Sequence, residues 1–195
     1  MEAMNPMAGR ILCATNLSNQ SISTYHYALQ KARENNAKIL VCHIISQRSI
    51  KAAKRLAYFL NETRKDIVKE KTYSAFRRMR EQLNALFKKE PKDHPASADL
   101  IEHLLVYHGN VAEELVEKAN RFGCEAIVLG SHETSLLTRF FSDDTTKKVL
   151  KQTKKTVFMV SLKKGKINVF SKKNKYDNTP IKKCPMKSIA YLQGN

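Results

Sequence analysis

Glu125-Ala126-Ile127-Val128-Leu129-Gly130-Ser131-His132, then Phe141-Ser142-Asp143-Asp144-Thr145-Thr146-Lys147-Lys148-Val149-Leu150, then Thr156-Val157-Phe158-Met159-Val160, spell a strand, a glycine, a loop, a helix start and a second strand. The first and last runs are short and apolar on both alternations, the pattern of a strand covered on both faces. Ser142, Asp143 and Asp144 are residue types that start helices, because a side-chain oxygen can accept from the unpaired backbone N–H groups of a first turn. Strand, helix and strand in this order predict a parallel pair joined by a right-handed crossover.

The same alternation extends toward the N-terminus. Residues 11–14 form a short apolar run that ends in Thr15-Asn16-Leu17-Ser18, after which Ile22, Tyr25, Leu29 and Ala32 recur at helical spacing. Residues 38–45 and 101–107 read as the second and third strands. After Gly109 a helix over about residues 110–122 presents Val111, Leu115, Val116 and Ala119, and Gly123 closes it. The fourth and fifth strands fall at residues 126–129 and 156–161. A sheet built this way binds ligands outside the carboxyl ends of its strands, where the strand order reverses.

The chain has 195 residues and a formal net charge of +17, and the charge is unevenly placed. From Gln47 to Lys92 there are fourteen Lys and Arg against five Asp and Glu; from Lys163 to Asn195 there are nine Lys against Asp177 alone. The remainder is neutral, which predicts a neutral domain carrying two basic additions where an acidic protein, a nucleic acid or an anionic lipid would bind. Cys13, Cys42, Cys124 and Cys184 lack metal-site or redox spacing, so neither a zinc site nor a disulfide framework is expected. No signal-like segment and no apolar run of membrane-spanning length is present, and a cytoplasmic protein is expected.

The first addition separates strands two and three by more than fifty residues, with no Gly or Pro from Lys51 to Glu90. Leu56, Phe59, Leu60, Thr63 and Ile67, then Tyr73, Phe76, Met79, Leu83 and Leu86, follow helical spacing, as one long helix or as two with a break near Lys69 to Thr72. The second addition has the composition of a mobile tail, although Ile167-Asn168-Val169-Phe170 alternates as a strand would. His43, His108 and His132 are read as hydrogen-bonded strand-end or loop residues. No nucleophile stands in a recognised arrangement, so no enzyme is expected.

Taken together, these pieces resemble the universal stress protein family. Ile11-Leu12-Cys13-Ala14-Thr15-Asn16-Leu17-Ser18 follows the family's Ile-Leu-Val-Pro-Thr-Asp-x-Ser opening with Asn for Asp at 16; Leu40-Val41-Cys42-His43-Ile44 and Tyr107-His108-Gly109-Asn110-Val111 match its second strand and its turn into the third helix. The resemblance implies an α/β fold: an open, doubly wound, Rossmann-like five-stranded parallel sheet of order 3-2-1-4-5 flanked by helices. The domain would span residues 1–162, with a mainly helical basic insertion at 46–98 and a basic tail at 163–195. It also implies a nucleotide crevice around Thr15, Asn16, Ile44, Gly109, Gly130, Ser131 and His132.

Nucleotide-binding members carry Gly-x2-Gly-x9-Gly-(Ser/Thr) from the first of those glycines, a loop whose bare N–H groups cradle phosphates. Here Gly130 is kept, but the later positions hold Glu133, Asp143 and Asp144. Carboxylates there repel a polyphosphate, and side chains fill the space that glycine leaves open. No cofactor is therefore expected, with ATP as the alternative and a divalent cation on the acidic residues as a further one. The resemblance further implies a homodimer through strand 156–161, whose apolar edge needs a cover, either a second copy or the chain's own tail. The expected function is a non-catalytic stress-response protein acting through homodimerisation and partner binding. The alternatives are an ATP- or AMP-binding stress sensor, or a basic nucleic-acid or anionic-membrane module on the same scaffold.

Overall fold

The computed structural model describes residues 9–19, 21–59, 64–89, 97–130, 144–163, 166–172 and 182–183. The elements run β1 (Arg10–Ala14), α1 (Ser21–Asn35), β2 (Lys38–Ser46), α2 (Gln47–Phe59), α3 (Arg64–Phe87), a short 3-10 turn at Ser97–Leu100, β3 (Ile101–Gly109), α4 (Val111–Arg121), β4 (Cys124–Gly130), α5 (Asp144–Gln152), β5 (Thr156–Lys163), β6 (Lys166–Lys172) and β7 (Lys182–Lys183). The sheet order is β3-β2-β1-β4-β5-β6-β7. The first five are parallel, with β1 between β2 and β4 in the register Leu12↔Leu40 and Leu12↔Ile127. This is the five-stranded, Rossmann-like order expected from the sequence.

Alternation along the strands divides the core into two layers. Ile11, Cys13, Ile39, Val41 and Val128 pack on one face with Tyr25, Tyr27 and Leu29 of α1 and Met79, Leu83 and Leu86 of α3. Leu12, Leu40, Cys42, Ile127, Leu129, Val157 and Met159 pack on the other with Leu115, Val116 and Ala119 of α4 and Val149 and Leu150 of α5. The helix expected at 110–122 forms over Val111–Arg121 because Asn110 caps it: its Oδ1 accepts from Ala112 N at 3.2 Å while its Nδ2 donates to Glu113 Oε1. Gly123, at φ +63, takes the left-handed turn that ends it.

Two features of the additions differ from the sequence reading. The insertion is two helices, but the break does not fall near Lys69 to Thr72: α3 begins at Arg64 and runs unbroken through those residues. The Thr72 hydroxyl is satisfied inside the helix by donating to Val68 O at 2.9 Å, so a threonine at that point does not interrupt it. Within the tail, residues 166–172 form a strand antiparallel to β5, in a register from Val157↔Lys172 to Lys163↔Lys166. Val169 is buried there at 1% exposure, which is what the Ile167-Asn168-Val169-Phe170 alternation offers. The homodimer expected through 156–161 therefore lacks the free edge that it requires, because the chain's own β6 already hydrogen-bonds to it.

Candidate functional site

The carboxyl ends of β1, β2 and β4 meet the starts of α1, α4 and α5 around a cavity of about 240 Å³. Its wall includes Thr15, Asn16, Ile44 and Gly130 of the residues expected from the sequence. Gly109 ends β3 outside that wall, and Ser131 and His132, with Glu133 and Asp143, lie outside the described residues. The structure adds Ser21 and Thr24 from α1, Cys42 and His43 from β2, and Thr145 and Thr146 from the first turn of α5. Thr145 and Thr146 follow Asp144, the first residue of α5, so the run of helix-start residues was the signal that pointed to them.

Thr15, Asn16 and Ser21 of this wall are bonded to one another and to the turn beside them. Thr15 Oγ1 donates to Ser21 Oγ at 2.9 Å and accepts from Leu17 N and from the Tyr25 hydroxyl, each at 3.0 Å. Asn16 Oδ1 accepts from Ser18 N at 3.0 Å and Ser21 Oγ at 3.1 Å, an Asx turn that leads the chain into α1. Leu17 adopts φ 60 to make the same turn, a conformation that costs a side-chain-bearing residue about 1 kcal/mol or more. Tyr25 is 1% exposed, and its hydroxyl also meets Gln82 Oε1 at 3.2 Å, while Gln82 Nε2 donates to Leu17 O and Ser18 O. Helix α3 of the insertion thus braces the loop that shapes the crevice.

Gly130 leaves room for a neighbour, Thr24. A Cβ added at 130 would lie 2.6 Å from Thr24 Oγ1, whose residue is 1% exposed. On the opposite side, the Thr15 carbonyl accepts from His43 Nδ1 at 2.8 Å, which sets the tautomer of the neutral ring and leaves Nε2 as its acceptor. Burial outweighs that hydrogen bond and holds the His43 pKa below its ordinary value. Burial also pushes the Cys42 thiol up to about 12, so it is not a nucleophile at neutral pH. Among the described residues, no group of three or more His, Cys, Asp or Glu side chains is placed to hold a metal ion.

The Universal stress protein family model matches residues 7–161. The chain belongs to the universal stress protein family. Three similar solved structures carry the same fold. The universal stress protein UspA from Lactobacillus plantarum is 16% identical at a TM-score of 0.57, covering 80% of this chain and 99% of that one. The hypothetical protein MJ0577, whose biochemical function was assigned from structure, is 22% identical at 0.55, covering 81% and 99%. A universal stress protein in complex with cAMP is 18% identical at 0.52, covering 79% and 97%. Among curated proteins none matches this sequence. Within this universal stress protein no helix among the described residues is long and apolar enough to cross a membrane.

Proposed function

We propose that this stress-response protein is non-catalytic and acts by associating with partners, its family crevice no longer taking a nucleoside triphosphate. The observation that carries this reading is the bonding of Asn16: the atom at the family's ribose-side position is spent on Ser18 N and Ser21 Oγ. A nucleotide reaching it would break the turn that starts α1. The cavity, about 240 Å³, is also smaller than the roughly 300–1,000 Å³ usual for small-molecule sites. The acidic residues at sequence positions 133, 143 and 144 oppose a polyphosphate charge where relatives have glycine or Ser/Thr.

The partner-binding part of the reading rests on the basic insertion, fourteen Lys and Arg against five acids between Gln47 and Lys92. A homodimer through 156–161 belongs to it only if β6 is first displaced from the β5 edge.

Calorimetric titration with MgATP tests the proposal. The expected result is no saturable binding below about 1 mM, a dissociation constant that corresponds to about −4 kcal/mol. Saturation near 10 µM or tighter would overturn it. Adenosine in the same titration separates a second reading, favoured by the polar lining of Thr15, Asn16 and His43: a nucleoside site without phosphate contacts.

A further inference from the structure

The helical stripe of the insertion has two fates. Its later part, Met79, Leu83 and Leu86, is buried at 0%, 4% and 3% exposure against the sheet. Its earlier part stays open: Tyr73 is 65% exposed and Phe76 36%, and Leu56 and Tyr58 on α2 are exposed as well. Single exposed apolar residues are ordinary, but Tyr73 and Phe76 border a concave space. A cavity of about 850 Å³ lies between α2, α3 and the end of β3, several times the volume of the nucleotide crevice and separate from it.

Helical geometry explains the lining. Val68, Thr72, Phe76 and Arg80 form one i, i+4 row along α3, and Lys69, Tyr73 and Arg77 form the row beside it. Lys54 faces them from α2, and His108 closes one end from β3. The walls are tied together. The Thr72 hydroxyl donates to Val68 O, so its contact of 2.9 Å with His108 Nε2 is one in which the ring nitrogen donates, fixing α3 to β3. Lys71 Nζ donates to Ser49 Oγ at 3.5 Å, joining α3 to α2.

Charge completes the chemistry. Among the described residues no carboxylate lines the cavity, and four cations do: Lys54, Lys69, Arg77 and Arg80. Arg77 has Glu81 at 3.7 Å, in an exposed pair worth little. Lys54, Lys69 and Arg80 have no carboxylate at ion-pair distance among the described residues. An apolar floor of Val68, Tyr73 and Phe76 beneath unpaired cations matches a molecule with an apolar body and one anionic end.

We propose that the cavity between α2 and α3 binds a small anionic amphiphile, a monomeric alkyl or aryl compound ending in a carboxylate, sulfonate or phosphate. The body lies on Val68, Tyr73 and Phe76, and the head meets Arg80, Lys54 and Lys69. Its volume fits a ligand of drug-like size. A nucleic-acid strand is the poorer match, since its charge recurs at every nucleotide while the lining is mostly apolar and offers two aromatic rings for stacking, Tyr73 and Phe76.

The test uses the full chain, the fluorescent probe 1-anilinonaphthalene-8-sulfonate, and laurate with its neutral analogue dodecanol as competitors. The expected result is saturable binding at one site, displaced by laurate at least ~10-fold more effectively than by dodecanol. Lys54→Glu and Arg80→Glu, on opposite walls, each weaken laurate at least ~10-fold while the melting temperature holds, and Phe76→Ser weakens probe and laurate together. Equal displacement by dodecanol, parent-like binding by both charge reversals, or no saturable binding overturns the proposal. So does binding of an oligothymidylate or of phosphatidylserine vesicles by a chain that ignores monomeric laurate. MgATP titration is indifferent to these outcomes, so this site and the crevice stand or fall separately.

Discussion

Replacing Met79 by alanine separates an insertion that is part of the core from one that merely lies on the surface. Met79 is fully buried, among Ala75, Leu83 and Leu86 on the inward side of α3. The substitution removes three heavy atoms; at about 0.8 kcal/mol for each buried methylene equivalent, the transfer loss alone is roughly 2.4 kcal/mol. The cavity left behind raises the total into the roughly 2–5 kcal/mol range found for such truncations. A chain of this length loses about 2–4 °C per kcal/mol, so Met79→Ala is expected to lower the melting temperature by roughly 5–20 °C. Differential scanning calorimetry measures it. Tyr73→Ser, less than two turns earlier on the open side of the same helix, is the control and is expected to shift the melt by less than about 2 °C. If Met79→Ala melted within about 2 °C of the parent, α3 would not be docked on the sheet as described. The brace from Gln82 to the Leu17 turn would then lose its basis.

Three further outcomes follow from other contacts. Because burial lowers the His43 pKa, the unfolded chain binds that proton more readily than the folded one. Stability is then complete above the unfolded value of about 6.5 and falls as pH drops below it toward the folded value. His43→Asn, which keeps a donor for Thr15 O, should flatten that slope in urea melts between pH 7.5 and 5, and an unchanged slope counts against it. Ending the chain after Lys163 removes β6 and bares the β5 edge, so light scattering should show self-association at lower protein concentration than for the full chain. Identical behaviour of the two chains would mean that β6 does not cover that edge. Cys13, Cys42 and Cys124 are buried, with the Cys42 and Cys124 thiols pushed up to about 12 and about 11, so native thiol labelling at pH 8 should leave all three unmodified until denaturant is added.

The architecture was legible because the central parallel strands are apolar and bounded: Ile11 to Ala14, Ile39 to Ile45 and Ala126 to Leu129 have few readings other than strands covered on both faces. The break in the insertion was misplaced because helical spacing continues through it. Thr63, just ahead of Arg64, and Asp66, in the first turn, are residue types suited to a helix start and were the overlooked signal. Periodicity also could not tell Met79 from Phe76, since both lie on the same stripe and only the position of the sheet decides which is covered. At the crevice, Thr15, Asn16 and Gly130 were readable from their places at strand ends. Thr24 and His43 were not assigned to it: the first sits within a helix, and the second acquires its role from the carbonyl of Thr15 on the neighbouring strand. Such partners are set by register and packing, which a linear pattern does not encode.

The account centres on a family crevice whose own side chains have taken over its polar contacts. Mass spectrometry of small molecules released by heat from the purified protein tests this most directly, because any tightly held nucleotide travels with its host. The account predicts that ATP is absent at the level of the protein concentration. Near-stoichiometric release of ATP would contradict it.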